Sequence, residues 1–368
     1  MRFVLFTKTI WNEPPRLRHQ VAELLISKGH EVLFFERPAP FYQPAATDKI
    51  PQPKNNLFLK GQTQLMHHKL RLSKILHYAN SWFVGRSIKK ALPDLRPDDV
   101  VVNFNYDYFF LRNIFPSQKI VTVINDDFIA VAISKRMAEW ALQRTCSISH
   151  ALLTVSVPLQ KDLSKFGNPQ LFLPWASDMY CKPETDASKR NTLLFWGYIN
   201  YRLDYDHLYD MIDAAAEVNP DINFLFIGPI GKSTRGNNKE ELDDLIARLK
   251  KRPNVSFMES RKLSEIDFTH VLAALIPYRA HDLEIDAITI SNKTFQLLSK
   301  GLPVFISALP AMPNFVQTDF VFRVDASNIN EKISFVRENF ESLQPHIEQY
   351  VNSNTAEARY QQLRQYIS

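Results

Sequence analysis

Leu193-Leu194-Phe195-Trp196-Gly197-Tyr198-Ile199-Asn200-Tyr201-Arg202-Leu203-Asp204 is the stretch on which the reading of this chain turns. Its four leading apolar residues are strand length. Glycine then frees the backbone, and Asp204 is a favoured residue for opening a helix over 204–218. Strand, loop and helix restart a rhythm that the first half of the chain has already run. Upstream, strands are expected at 2–6, 31–36, 100–104, 120–124, 152–155 and 171–173, with helices at 16–28, 65–92, 134–146 and 158–166. Downstream, strands are expected at 193–196, 223–227, 255–258, 271–276, 304–306 and 320–324, with helices at 204–218, 239–250, 292–300 and 328–339. A last helix is expected at 355–366. Strands alternating with helices build parallel sheets covered on both faces. Two such series predict an α/β protein of two Rossmann-like, doubly wound parallel-sheet domains facing a cleft. The expected bounds are 1–180 and 181–345, joined by the polar stretch 178–191, with a C-terminal helical segment, 346–368, packing back toward the first domain.

Composition removes several classes. The chain has 368 residues, 45% of them hydrophobic and 23% charged, which is a core-forming balance. Its 2 cysteines, Cys146 and Cys181, have no metal-like spacing and cannot make a disulfide framework. Only 9 glycines are present, with neither G-x-G-x-x-G nor G-x-x-x-x-G-K-[ST], which argues against a dehydrogenase of the usual kind and a P-loop NTPase. No apolar run is long enough to span a membrane. The N-terminal MRFVLFTKTIW lacks the apolar stretch of a secretory signal, so a cytoplasmic protein is expected.

Charge is uneven. Residues 1–180 hold 23 Lys/Arg against 14 Asp/Glu, whereas the remainder holds 21 against 25. Lys49–Pro93 carries nine Lys/Arg and no acid, interleaved with Leu70, Leu72, Ile75, Trp82 and Phe83. A basic amphipathic segment with aromatic residues suits an anionic membrane surface; a solvated helix face is the plainer alternative. Nucleic acid is not expected, because no reader motif accompanies the patch.

In open parallel sheets, ligands lie beyond the carboxyl ends of strands. Gly197, Tyr198 and Arg202 occupy such a place, before a helix start. Glycine permits close approach, arginine pairs with phosphate through a planar fork, and the helix N-terminus adds amide donors. They read as a diphosphate cradle, or else as a capped turn with a surface arginine. Ser291, Asn292 and Lys293 gather at a second helix start, after the strand ending Ile276-Pro277-Tyr278-Arg279, and Gln296 lies one turn along the same helix. In the first half, Asp126 and Asp127 end a strand and could orient or deprotonate a hydroxyl, or simply cap a helix or form an ion pair. Asn12, Glu13 and Arg16 follow the first strand and could line the same region. Asp204-Tyr205-Asp206 has the form of a metal-binding D-x-D, but its place at a helix start favours capping. No metal site is expected, and His67-His68 has no ligand spacing.

The segment Lys293–Val304, of the form K-x-F-x-x-L-x-x-G-x-P-V after Pro277-Tyr278-Arg279, resembles the sugar-nucleotide segment of group 1 (GT4-like) glycosyltransferases of the GT-B fold, and most nearly the branch of teichuronic-acid and other envelope-polysaccharide enzymes. Further matches keep the family order: Arg18-His19-Gln20 through Val32, Thr154-Val155-Ser156, Leu173–Asp178, Trp196–Asp204 and Phe226–Pro229. Gln296 stands where the family usually has a glutamate that binds donor ribose, and the partner glutamate position is Ile288. The resemblance implies transfer of a sugar from a nucleoside diphosphate, UDP- or GDP-linked, to a hydroxyl of a glycan or lipid-linked acceptor, with no resident cofactor. It implies donor contacts from Gly197, Tyr198, Arg202, Tyr278, Ser291, Asn292, Lys293 and Gln296. Arg202 and Lys293 would neutralise the leaving diphosphate, and Asp126 would be the base if the reaction inverts. Asn12, Glu13, Arg16 and Asp127 would lie on the acceptor side, and Lys49–Pro93 would hold the protein on the inner face of the plasma membrane. A sugar-nucleotide epimerase of the same fold, or a sugar-binding scaffold subunit, is the alternative.

Overall fold

A computed structural model of the protein describes residues 1–13, 16–43, 55–130, 132–176, 179–183, 186–231, 239–279, 292–307 and 319–367. The chain divides into two compact units, Met1–Leu173 with Ala356–Ser368, and Pro174–Thr355.

The first unit runs β1 (Arg2–Phe6), α1 (Leu17–Ser27), β2 (Glu31–Phe35), β3 (Ala39–Pro40), β4 (Leu57–Lys60), β5 (Thr63–Gln64), α2 (Lys74–Ala91), β6 (Val100–Asn103), β7 (Lys119–Ile124), α3 (Lys135–Ser147), β8 (Ala151–Thr154), α4 (Val157–Leu163) and β9 (Gln170–Leu171). Its main sheet is parallel, ordered β4-β2-β1-β6-β7-β8-β9. β1 is buried along its whole length, as a strand covered on both faces must be. The short apolar runs of β1, β6 and β7 therefore pack both ways, and the alternation seen in half-exposed strands is absent from them.

The second unit runs β10 (Thr192–Trp196), α5 (Tyr205–Val218), β11 (Asn223–Ile227), α6 (Lys239–Lys250), β12 (Val255–Met258), β13 (Val271–Ile276), α7 (Asn292–Leu298), β14 (Val304–Ile306), β15 (Val321–Arg323) and α8 (Ile329–Ser353). Its sheet is also parallel, ordered β12-β11-β10-β13-β14-β15. The final helix, α9 (Ala356–Ile367), belongs to the first unit. Its Arg359 donates through Nε to the Leu173 carbonyl at 2.8 Å, and Tyr360 Oη meets the His30 ring at 2.6 Å.

Two expected elements differ. A single helix over 65–92 is not formed. The chain instead makes a short 3-10 turn at His68–Leu70, and α2 starts at Lys74, where the Ser73 hydroxyl accepts the Leu76 amide at 3.3 Å. Before that start Arg71 turns inward, 4% exposed, so the basic stretch is not one solvent-facing segment. Part of Lys49–Pro93, residues 49–54, lies outside the described residues. The helix expected to end at 339 continues through Pro345 to Ser353, because its buried stripe continues through Phe340, Leu343, Ile347 and Tyr350. Among the described residues no helix is long and apolar enough to cross a membrane.

Candidate active site

Strand order decides where each sheet can hold a ligand. In both sheets the chain builds outward from one strand and then crosses to that strand's other side. The reversal falls between β1 and β6 in the first unit and between β10 and β13 in the second. Loops leave in opposite directions at such a point and open a crevice at the carboxyl ends of the strands.

In the second unit that point is marked by Gly197, which follows β10, and Tyr278, which follows β13. Lys293, the second residue of α7, reaches between them. Its Nζ donates to the Tyr278 hydroxyl at 3.0 Å and lies 4.9 Å from the Phe195 ring centre and 5.4 Å from that of Tyr278. Gly197 has φ +145°, and a Cβ built there would fall 2.1 Å from Lys293 Nζ. The positive φ favours glycine at this position, and a side chain there would displace the Lys293 ammonium. Gly228, after β11, has φ +150°, and a Cβ there would meet the Gly197 carbonyl oxygen at 2.0 Å. The two glycine loops are laced together by Gly197 N–H to Ile227 O at 2.9 Å, Ile199 N–H to Pro229 O at 3.1 Å and Gly231 N–H to Ile199 O at 3.1 Å.

The loop carrying Arg202 is joined to the β13 exit as well. The Arg279 amide donates to the Arg202 carbonyl at 2.8 Å, and Leu203 bridges Tyr278 in antiparallel fashion. Arg202 is exposed on this loop and Tyr198 is 47% exposed. Gln296, three residues beyond Lys293, is partly buried. Asn292 opens α7, while its side chain and the whole of Ser291 lie outside the described residues. Beyond the carboxyl ends of β11 and β12 is a groove of about 410 Å³ lined by Ile199, Pro229, Ile230, Phe257 and Met258 and by the polar Glu259. Apolar walls of that kind, with a few polar groups among them, suit a planar ring. Asp204 caps α5, accepting the His207 amide at 3.3 Å. Among the described residues no three His, Cys, Asp or Glu side chains converge as metal ligands.

The switch point of the first unit holds residues that the sequence alone did not single out. Lys8 follows β1 and Asp107 follows β6, and Lys8 Nζ lies 3.0 Å from Asp107 Oδ1. Asp107 is fully buried and its other oxygen pairs with Arg71 Nη1 at 2.5 Å. Arg71 is held further by Gln64 Oε1 at 3.0 Å and the Met66 carbonyl at 3.1 Å. Burial alone would raise the Asp107 carboxyl, but Lys8 and Arg71 outweigh it and hold it well below the usual range. Burial pulls the Lys8 ammonium down to about 8, against the opposing pull of Asp107. His68, desolvated and close to Lys8, is pushed down to about 3 and stays neutral. Position after a strand was the available signal for Lys8 and Asp107; their pairing required the order of β1 and β6.

The expected acceptor-side residues are less concentrated. Arg18, on α1 and buried, donates to Asn125 Oδ1 at 3.1 Å beyond β7. Burial lowers its guanidinium to about 10, and nearby Asp126 opposes that shift. Asp127 Oδ1 accepts the amides of Ile129 at 3.0 Å and Ala130 at 2.9 Å, which ties it into a local turn and not to a helix start, since the next helix, α3, opens at Lys135. Glu13 pairs with Arg37, Arg16 opens α1 with its amide on His19 Nδ1 at 3.0 Å, and Asn12 is exposed.

No family profile matches the chain, and no curated relative matches it. Solved structures do. Sucrose-phosphate synthase from Thermosynechococcus elongatus superposes with a TM-score of 0.71 over 99% of this chain and 97% of its own, at 13% identity. A UDP-forming α,α-trehalose-phosphate synthase from Burkholderia vietnamiensis gives 0.66 over 100% and 97%, at 8% identity. Anabaena HepE, solved with UDP and glucose, gives 0.64 over 99% and 98%, at 12% identity. The chain thus has the GT-B fold of these glycosyltransferases, with two Rossmann-like domains.

Proposed function

We propose that the protein is a metal-independent glycosyltransferase that takes a sugar from a nucleoside-diphosphate donor and gives it to a hydroxyl of a glycan. The observation that carries this reading is the convergence of Gly197, Tyr278 and Lys293 on the switch point of the second sheet. It is supported by structures of the same fold that hold UDP with glucose and UDP-2-fluoro glucose.

On this reading the nucleobase enters the groove beside Ile199 and Phe257, and Gln296 hydrogen-bonds the ribose. Lys293 and Arg202 meet the diphosphate, with Tyr198, Ser291 and Asn292 as further donor contacts. As the bond from sugar to phosphate breaks, negative charge grows on the departing diphosphate. A cation already held in place stabilises that charge without reorganising. The Tyr278 hydroxyl restrains Lys293 Nζ, and Gly197 leaves the space it needs. The first unit takes the acceptor. In a retaining reaction the departing phosphate accepts the hydroxyl proton; in an inverting one Asp126 is the base. The acceptor we assign is a lipid-linked glycan of an envelope polysaccharide, reached from an anionic membrane surface on the cytoplasmic side.

The test is nucleotide binding followed by donor hydrolysis, across UDP-, GDP- and dTDP-sugars. One nucleotide should bind, and its sugar should be released slowly without acceptor. Binding of none of them would remove the enzymatic reading and leave a scaffold.

A further inference from the structure

The solvent face of α2 is divided along its length. Ile75, Tyr78 and Trp82 lie on one stripe at helical spacing, exposed by 78%, 48% and 66%. Arg86, Lys89 and Lys90 continue the same stripe over the last two turns, all exposed. The opposite stripe, His77, Asn80, Ser81, Val84, Gly85 and Ile88, is buried against the first unit. Leu70 and Leu72, just before the helix, add 59% and 55% exposed apolar side chains. Arg86 stacks over the Trp82 ring at 5.8 Å, joining the two halves. Nothing acidic occurs between residues 49 and 93.

We infer that this face is a membrane-insertion edge, on which Ile75 and Trp82 enter the interface of an anionic bilayer while Arg86, Lys89 and Lys90 rest on its headgroups. The inference rests on the membrane reading above and moves its seat. Arg71, buried on Asp107, cannot serve as a headgroup contact, and the cations that can are at the far end of α2. Single exposed leucines need no explanation, but contiguous large apolar groups do. The charge argues for lipid over protein. A second copy would bring like charges into one buried patch with no acid to offset them, and lysine is depleted at the core of protein interfaces. A bilayer accepts both halves: aromatic and aliphatic groups at the acyl boundary, cations among the phosphates.

The two halves separate by salt. The full chain should co-sediment with vesicles of equal parts phosphatidylglycerol and phosphatidylcholine, and weakly with phosphatidylcholine alone. Arg86→Gln/Lys89→Gln/Lys90→Gln should lower partitioning roughly a hundredfold at low salt and far less at about 0.5 M salt. Ile75→Ser/Trp82→Ser should lower it about tenfold or more at both. These positions are exposed, so the variants should melt with the wild type. Equal binding by Ile75→Ser/Trp82→Ser and wild type, or no preference for phosphatidylglycerol, overturns the inference. So does a wild-type dimer that this variant abolishes in sedimentation equilibrium. UDP affinity measured in parallel tells the failures apart: vesicle binding lost with UDP binding kept overturns the edge alone. Vesicle binding as expected with no nucleotide bound supports the edge and removes the glycosyltransferase reading.

Discussion

Lys293 Nζ occupies the space that a side chain at position 197 would need, 2.1 Å from where a Cβ would be built on Gly197. Loop and lysine are thus fitted to each other. Two substitutions should separate their roles. Lys293→Met should leave the melting temperature near wild type and cut turnover roughly a hundredfold, the effect of removing about 3 kcal/mol of charge stabilisation from the transition state. Gly197→Ala should lower both, because it displaces the ammonium and also strains a backbone at φ +145° by about 1–3 kcal/mol. Wild-type turnover in Lys293→Met would remove Lys293 from the site.

Arg71 belongs to the interior of the first unit. Arg71→Met leaves Asp107 buried with only Lys8 beside it, and breaking a buried pair in this way costs about 3–5 kcal/mol. Urea denaturation should show that loss as a lower midpoint. Arg86→Gln, at an exposed site, should change the midpoint by no more than about 0.5 kcal/mol equivalent. Equal midpoints for Arg71→Met and wild type would return Arg71 to the surface.

Lys8 makes stability depend on pH in the alkaline range. Its folded ammonium titrates near 8, against about 10.4 in an unfolded chain. Between those values the unfolded state binds more protons, so this group's contribution to stability rises with pH, by about 1.4 kcal/mol per pH unit at most. Below pH 8 both states are protonated and the slope vanishes. The difference in unfolding free energy between wild type and Lys8→Met should grow from pH 8 toward pH 10. A flat difference across that window would show that Lys8 is not desolvated.

Asp204 already spends its carboxylate on the His207 amide at the start of α5. Asp204→Ala should cost about 1 kcal/mol of stability, the usual value of a cap, and Asp206→Ala less than that. Activity in both should survive EDTA. Complete loss in EDTA, restored by Mn²⁺ or Mg²⁺, would make the pair metal ligands.

Local signals made much of this molecule legible. Asn223–Ile227, Val255–Met258 and Val271–Ile276 are short apolar runs bounded by polar residues, and each is a strand at the expected residues. Asp204 and Ser156 precede helices because their side-chain oxygens accept amides just ahead of them. The residue pair Ala39–Pro40 and the strand Leu57–Lys60 escaped notice, since two or four residues carry too little periodicity to separate from loop. The basic run from Lys49 was legible only in part, for a related reason. Charge and hydrophobicity along a chain do not say which residue turns inward, and Arg71 turns inward because Asp107, 36 residues away, is there to receive it.

The sequence by itself determined the alternation of strand and helix, and with it the two parallel sheets, and it marked the residues that follow strands as candidates, because these depend on neighbours within about one turn or one loop. Only the tertiary structure decided which of those residues meet. Tyr278 and Lys293 come together beside Gly197 because β13 lies beside β10, and Lys8 meets Asp107 because β6 lies beside β1. Strand order is set by how whole helices and strands cover one another's apolar faces, a property of the packed unit that no local stretch of residues encodes.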